Sequence, residues 1–223
     1  MLLLGASGLV GGHLLRRVSA GASYASVTLL TRRALGLGAG KVKEVVVDFD
    51  RAETFGEVAV DDVFCCLGTT IKKAGSQAAF RKVDLEAPLA VARAARQAGA
   101  SRYLIVTAVG ASAESGVFYN RVKGEVEAGL RALRFPRGVK IFRPSLIMGD
   151  RAERRAAESV AMALMGATRP LFVGGWQRYR AIDADDVAAA MLEAAEDPAT
   201  DDASYEGARL FEAAARWRAR ASL

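Results

Sequence analysis

A phenol and an ammonium stand four residues apart at Tyr119 and Lys123. On a helix that spacing places both side chains on one face. Reduction of a carbonyl by hydride leaves an alkoxide that must be protonated as it forms. A phenol has an ordinary pKa of about 10, and it can serve near neutral pH when an adjacent cation lowers that pKa. The spacing therefore predicts Tyr119 as a general acid and Lys123 as the cation that tunes it.

Such chemistry also needs a hydrogen-bond donor to hold the carbonyl oxygen. Thr107 lies twelve residues before Tyr119, at the end of an apolar run, and is the first candidate. Ser112 and Ser115 are the alternatives. Taken alone, Thr107 could be an ordinary β-branched strand residue, but its position favours a catalytic role.

A glycine loop follows the first apolar run, where Gly5, Gly8 and Gly11 have the spacing GxxGxxG. In such a loop the first glycine permits a tight turn, the second lets the backbone approach a pyrophosphate, and the third allows a helix to pack closely on a strand. The following helix would direct its partial positive charge at the phosphates. The loop therefore predicts dinucleotide binding. The residues expected there are Gly5, Ser7, Gly8, Leu9, Val10 and Gly11.

The end of the second apolar run indicates which dinucleotide is bound. An NAD site usually presents an acid there for the ribose 2′-hydroxyl, whereas arginine accommodates a 2′-phosphate. The run Val27–Leu30 is followed by Arg32 and Arg33, with no acid between. Because the guanidinium fork matches a phosphate, NADP(H) is predicted in preference to NAD(H), which stays open. Asp48, after the third run, could bind the adenine amino group or cap the following turn.

Short apolar runs alternate with amphipathic stretches, and this indicates βαβ units with a parallel sheet covered on both faces. The predicted strands are Leu2–Leu4, Val27–Leu30, Val42–Val47, Asp62–Leu67, Tyr103–Thr107 and Val139–Phe142. The predicted helices are Val10–Arg17, Gln77–Gln97 with a break or restart at Pro88, Val117–Arg134, Glu153–Met165, Asp183–Glu196 and Gly207–Arg220. The fold class is therefore α/β, a Rossmann-like doubly wound parallel sheet in the order 3-2-1-4-5-6 with room for a seventh strand.

Length and composition indicate one globular domain over residues 1–223. Of these residues 52% are hydrophobic and 25% are charged, a balance that excludes disorder as the main state. We expect a cofactor-binding part over about 1–145 and a smaller substrate-side elaboration over about 146–223.

Charge, cysteine and hydropathy patterns narrow the partners. The net charge of +6 is dispersed, without the basic run of a nucleic-acid tail. Cys65 and Cys66 are expected to be reduced core residues, and the single histidine, His13, cannot build a histidine-based metal cluster. No apolar run is long enough to span a bilayer, and the first residues lack the basic region of a signal peptide. We expect a cytoplasmic protein, monomer or homodimer, without a metal, nucleic-acid or membrane partner.

Together these residues resemble the atypical branch of the short-chain dehydrogenase/reductase superfamily. The runs CLGTT at 66–70, VD at 83–84 and VKGEVE at 122–127 are similar to those of Tat-interacting-protein oxidoreductases and their bacterial relatives. The resemblance implies a Rossmann-like fold, NADPH binding and a Ser/Thr-Tyr-Lys site. The further cofactor neighbours that it implies are Gly68, Thr69 and Pro144. Tyr119 and Lys123 are also expected to bind the cofactor, with Lys123 donating to the nicotinamide ribose.

Two positions depart from the family pattern. Thr107 stands where the family usually has serine, so the hydroxyl is kept and a methyl is added. Asp84 or a neighbour stands where classical members often have asparagine, so the resemblance does not extend to a proton relay through that position.

The predicted function is NADPH-dependent reduction of an aldehyde or ketone, or the reverse oxidation of an alcohol, by Thr107, Tyr119 and Lys123. One alternative is a regulatory or sensor protein that binds NADP(H) without turnover, since a fold does not guarantee an activity. A less favoured alternative is a nucleotide-sugar epimerase or dehydratase with tightly held NAD. The roughly 80 residues after Pro144 leave little room for a sugar-nucleotide site, and the arginine pair disfavours NAD.

Overall fold

The structure is a computed structural model, and it describes residues 1–55, 59–149 and 180–221. The strands are β1 (Leu2–Leu4), β2 (Val27–Thr31), β3 (Val42–Val46), β4 (Asp62–Cys65), β5 (Arg102–Val106), β6 (Val139–Arg143), β7 (Ile147–Met148), β8 (Ile182–Asp183) and β9 (Ala203–Glu206). The helices are α1 (Leu9–Ala20), α2 (Ile71–Ala74), α3 (Gln77–Arg81), α4 (Ala87–Gln97), α5 (Phe118–Ala132), α6 (Ala184–Glu196) and α7 (Ala208–Ala221). A 3-10 turn spans Ala52–Phe55, and a π-helical turn spans Lys82–Glu86.

The central sheet has seven strands in the order β3-β2-β1-β4-β5-β6-β9, and every neighbouring pair is parallel. The predicted Rossmann-like order is therefore confirmed, and β9 is the seventh strand. A separate pair of short parallel strands joins β7 to β8. The sequence did not indicate β9 because its four residues include Ser204 and Glu206 and show no continuous apolar run.

The sheet is buried on both faces because successive side chains of a strand point to opposite sides. In β1, Leu3 contacts the apolar cluster that includes α1 and α6, whereas Leu2 and Leu4 contact the cluster that includes α4 and α5. Two helical layers thus sandwich the sheet, and the carboxyl ends of the strands meet at one edge.

The helical stretch predicted over Gln77–Gln97 is interrupted, and α4 restarts at Ala87, in agreement with the restart predicted at Pro88. The π-helical turn separates α3 from α4, and Pro88 lies in the first turn of α4. Proline is tolerated there because the first helical N–H groups have no partner within the helix. The irregular turn therefore falls on Asp84, one of the two positions that depart from the family pattern.

The structure also bears on the predictions made for the two cysteines, for the helix Glu153–Met165 and for membrane-spanning segments. Cys65 and Cys66 are free thiols, and burial raises the pKa of Cys65 to about 11, which keeps that thiol neutral. The predicted helix Glu153–Met165 lies outside the described residues. Across the part of the chain that the structure describes, no helix combines the length and the apolar character needed to cross a bilayer.

An ionic contact joins α1 to the first turn of α6. The Nε of Arg17 donates to Asp185 Oδ1 at 2.9 Å, and a second guanidinium nitrogen binds the other oxygen. His13 Nδ1 lies 3.0 Å from the same Oδ1. Partial burial opposes ionisation, but Arg17 and His13 outweigh it and hold the pKa of Asp185 below its usual value. This carboxylate therefore fastens the helix that follows the glycine loop to the C-terminal part of the chain.

We predict that Asp185→Asn lowers the free energy of unfolding by about 1 kcal/mol at pH 7, because it removes a two-point ion pair that is only partly screened by solvent. Since the folded pKa lies below the unfolded one, this stabilisation is present above the unfolded value and is lost as the pH falls through the folded value. Urea unfolding should show the gap to wild type closing as the pH falls below the ordinary aspartate pKa of about 3.9. The exposed Glu212→Gln is the matched control, and a gap that stays constant below that value would contradict the assignment.

Candidate active site

The glycine loop connects β1 to α1 in the conformation that the motif predicts. Gly5 has a positive φ of 80°, and its carbonyl accepts the Gly8 N–H at 2.9 Å. A Cβ on Gly5 would collide with the Cys66 carbonyl, and one on Gly11 would collide with the Gly5 carbonyl. Only glycine permits this close approach of strand, loop and helix. The start of α1 therefore faces the sheet edge with its free N–H groups.

A cleft of about 950 Å³ lies between this loop and the ends of β2, β3 and β4. The predicted cofactor residues that line it are Gly5, Ser7, Gly8, Arg32, Arg33, Asp48, Gly68 and Thr69. Its position at the carboxyl ends of parallel strands is where such folds bind dinucleotides. Of the other loop residues, Val10 and Gly11 are buried beneath the loop and Leu9 is exposed. The cleft fits the phosphates and ribose of a dinucleotide.

The charges around the cleft are mostly positive. Arg32 and Arg33 are exposed, and among the described residues neither guanidinium has an acidic partner. Lys73 and Lys82 also line the cleft, although no sequence motif singled out Lys82. Asp48 accepts the N–H of Asp50 at 3.0 Å, so of its two predicted roles the structure shows the turn cap.

Helix α5 presents Tyr119, Lys123 and Glu127 at successive four-residue intervals, hence on one face. Lys123 is buried, and its Nζ lies 6.0 Å from the centroid of the Tyr119 ring. Tyr119 is half-buried, and its ring centroid lies 5.5 Å from that of Phe80. The tyrosine and lysine are therefore brought together as predicted, with the ammonium beside the phenol ring.

Asp84 anchors the lysine from the π-helical turn. Its Oδ1 lies 2.7 Å from Lys123 Nζ, and its Oδ2 accepts the Thr69 N–H at 3.0 Å. A Cβ built on Gly68 would lie 3.6 Å from that Oδ1 and 3.9 Å from that Nζ. The ion pair therefore stands directly behind the wall of the cleft at Gly68. Irregular π turns are frequent at functional sites, and this one places a carboxylate under the lysine.

Burial and charge act together on this pair. Burial raises the pKa of Asp84, against the pull of Lys123 and the Thr69 N–H. For Lys123, burial works against the charged form, but Tyr119 and Asp84 outweigh it and raise the pKa. Lys123 is therefore a charged ammonium at neutral pH. A buried ammonium of this kind can stabilise a phenolate beside it.

The Thr107 hydroxyl has a partner within the protein, and its role toward a carbonyl oxygen stays a prediction. Its hydroxyl donates to Glu127 Oε1 at 2.7 Å, eight residues beyond Tyr119 on α5. Glu127 is itself buried and accepts a hydrogen bond of 2.9 Å from Arg143 Nε. Thr107 and Arg143 thus donate to the same carboxylate, that of Glu127. Sequence reasoning missed this network, although Glu127 follows Lys123 by four residues in the run at 122–127.

The remaining candidates lie in the connections around the site. Ser112 and Ser115 accept backbone N–H groups two residues ahead, at 3.3 and 3.1 Å, and so stabilise the turn before α5. Pro144 is buried after β6, and its carbonyl accepts the Val109 N–H at 3.0 Å. Pro144 thereby ties together the segments that follow β5 and β6.

A parallel sheet with a glycine loop at its first turn and a tyrosine–lysine pair on the helix after its fifth strand defines an NAD(P)-binding protein of the short-chain dehydrogenase/reductase type. Comparison with protein families agrees. The model of the NAD dependent epimerase/dehydratase family matches residues 1–206, and the chain belongs to this family. Membership indicates an NAD(P)-dependent enzyme with a nicotinamide cofactor.

Curated relatives confirm the resemblance to the atypical branch. Protein HTATIP2 of Rattus norvegicus is 34% identical over 181 residues, which cover 79% of this chain and 74% of that protein. The mitochondrial protein fmp52 of Emericella nidulans is 36% identical over 173 residues, which cover 74% of each chain. Since the fungal relative is named as mitochondrial, a cytoplasmic location stays a prediction.

Solved structures share the fold. The human epimerase family protein SDR39U1, solved with NADPH, has a TM-score of 0.62 at 18% identity and covers 91% of this chain and 72% of that one. The dTDP-glucose 4,6-dehydratase DesIV from Streptomyces venezuelae, solved with NAD, has a TM-score of 0.68 at 18% identity, over 99% of this chain and 80% of that one. At this identity the likeness shows the Rossmann-like architecture alone.

We predict that Lys123→Met destabilises the fold by about 3 kcal/mol, because it leaves the Asp84 carboxylate buried without its charged partner. Lys123→Met combined with Asp84→Asn should recover part of that loss, since no buried charge is then left unpaired. Urea unfolding of the two single variants and the double variant forms the cycle. Strictly additive losses would contradict the coupling of the two side chains.

Proposed function

We propose that the protein is an NADPH-dependent oxidoreductase that reduces an aldehyde or ketone, or oxidises the corresponding alcohol. The observation that carries this proposal is the charged, buried ammonium of Lys123 beside the ring of Tyr119, held in place by Asp84. Binding a dinucleotide without catalysis does not require a phenol next to a desolvated ammonium. Proton transfer to a carbonyl oxygen does require a proton donor, and a nearby cation stabilises the anion that the donor leaves.

The residues of the cleft suit a phosphorylated dinucleotide. The N–H groups at the start of α1 would bind the pyrophosphate, and Arg32 with Arg33 would bind the ribose 2′-phosphate. When bound, the nicotinamide supplies or accepts the hydride. The fit rests on the close packing at Gly5 and Gly11 and on the two arginines without acidic partners among the described residues.

In the proposed reduction, the Tyr119 hydroxyl donates its proton to the carbonyl oxygen as negative charge develops there. The O–H bond of the phenol breaks, a new O–H bond forms on the substrate, and the phenolate is left beside the Lys123 ammonium. Asp84 keeps that ammonium charged and fixed, so its position need not be reorganised during the reaction. In the oxidation the same phenolate accepts the proton of the alcohol.

A second candidate is an NADP(H)-binding sensor without turnover, and the Thr107 hydrogen bond favours it. To orient a carbonyl oxygen, Thr107 has to donate its one hydroxyl hydrogen, which it gives to Glu127 at 2.7 Å. In the catalytic proposal this hydroxyl turns towards the substrate. In the sensor it stays within the buried network of Glu127 and Arg143.

Tyr119→Phe separates the two candidates. We expect kcat for NADPH-dependent reduction of a panel of aldehydes and ketones to fall at least about a hundredfold, because the proton donor is removed. The Kd for NADPH should change less than about threefold, since no cofactor phosphate depends on the phenol. Absorbance at the nicotinamide band gives the rate, and calorimetry gives the Kd.

Tyr205→Phe is the matched control, because it removes a hydroxyl from a buried tyrosine on β9, whose ring stacks on Phe142. It should leave both quantities unchanged. Equal turnover in wild type and Tyr119→Phe would refute the general-acid role. Tight NADPH binding without turnover of any carbonyl would favour the sensor.

The cofactor preference has its own test in the double variant Arg32→Ala/Arg33→Ala. Loss of charge-assisted hydrogen bonds to a phosphate should weaken NADPH binding by about tenfold to a hundredfold and leave NADH binding nearly unchanged. Calorimetry with both nucleotides measures the ratio, and the exposed Arg93→Ala on α4 is the control. An equal loss for both nucleotides would show that the arginines do not recognise the 2′-phosphate.

A further inference from the structure

The carboxylate of Glu44, on β3, is bound by the loop that follows β2. Its Oε1 accepts the Leu35 N–H at 2.7 Å and the Thr31 hydroxyl at 3.1 Å. Its Oε2 accepts the Leu37 N–H at 3.2 Å. One side chain thus satisfies three donors that span seven residues of the neighbouring connection.

The same loop carries the arginines of the cleft. Arg32 and Arg33 lie between two of the points that Glu44 binds, at Thr31 and at Leu35. All four of these residues line the cleft, whereas Glu44 does not. Glu44 therefore fixes the backbone on both sides of the two arginines without reaching the ligand itself.

Glu44 is also distinct from the acid of an NAD site. That acid directs its carboxylate to the ribose 2′-hydroxyl, but both oxygens of Glu44 are occupied by donors of its own chain. Partial desolvation opposes ionisation, yet the N–H groups of Leu35 and Leu37 and the Thr31 hydroxyl hold the pKa of Glu44 below its usual value. The Glu44 carboxylate, which we call the brace of the β2–β3 loop, is therefore ionised at neutral pH.

We propose that Glu44 is a positioning residue for cofactor specificity, which holds the β2–β3 loop so that Arg32 and Arg33 meet the 2′-phosphate of NADP(H). This inference rests on the proposed preference for NADP(H). It assigns that preference to the arginines together with a third residue on the next strand. Without the brace, the loop would become ordered only on binding. The conformational entropy lost in that step would weaken the binding of a ligand that contacts the arginines.

The test compares Glu44→Ala, Glu44→Gln and the control Lys43→Ala in the full chain. Calorimetry measures Kd for NADPH and NADH, and for the fragments adenosine 2′,5′-bisphosphate and adenosine 5′-monophosphate. We expect Glu44→Ala to weaken the two 2′-phosphorylated ligands by about tenfold and to leave the other two within about twofold. Glu44→Gln should lose less, because its amide oxygen still accepts part of the loop N–H groups. The exposed Lys43, next on the strand, should change nothing.

Three outcomes would overturn the inference. A Glu44→Ala protein with an unchanged NADPH-to-NADH ratio shows that the arginines need no brace. Tighter NADPH binding in that variant shows that Glu44 acts only as a negative charge near a phosphate. If wild type shows no preference for NADPH, the proposed specificity is refuted together with the role of Glu44. If Arg32→Ala/Arg33→Ala loses the preference but Glu44→Ala keeps it, only the role of Glu44 is refuted. If Glu44→Ala fails to fold, the ratio in Glu44→Gln decides, and no change there refutes the brace.

Discussion

The buried ion pair between Asp84 and Lys123 is the constraint around which the site is organised. Burying two opposite charges is tolerated only when the two groups stay paired. The three elements that support them must therefore keep their relative positions. These elements are the π-helical turn, the loop after β4 at Thr69, and helix α5. The same pair places the ammonium beside Tyr119 and directly behind the cleft wall at Gly68. The packing around the cleft and the proposed proton transfer therefore depend on the same contact.

Most of the architecture could be predicted from the sequence because its signals are local and repeated. Continuous apolar runs indicated strands buried on both faces, and the glycine spacing fixed the first turn of a Rossmann-like sheet. What escaped prediction depends on tertiary partners. Strand β9 is short and includes the polar residues Ser204 and Glu206, and it pairs as a strand with the parallel edge of β6. Pro88 indicated where α4 restarts, but no sequence signal indicated that the turn Lys82–Glu86 before it is π-helical.

The candidate site divides in the same way. The spacing of Tyr119 and Lys123 and the three glycines of the loop could be predicted because each is a short-range pattern. The partners that set their geometry could not, since Asp84 lies 39 residues before Lys123 and Glu127 meets Thr107 across the layer between sheet and helix. Thr107 shows the limit most clearly. Its residue type and position pointed to a donor for substrate, and its hydroxyl is found on a buried carboxylate.

The pairing of β9 with β6 has a consequence for how the chain is made. Residues 203–206 lie about 60 residues after β6, so the sheet is completed only when they have left the ribosome. Among the described strands, β9 alone pairs with the outer side of β6, and an unpaired strand edge can pair with a neighbouring chain. A protein shortened before β9 would carry that edge permanently. Shortened forms should therefore self-associate, even though the entire glycine loop and the tyrosine–lysine pair would still be present.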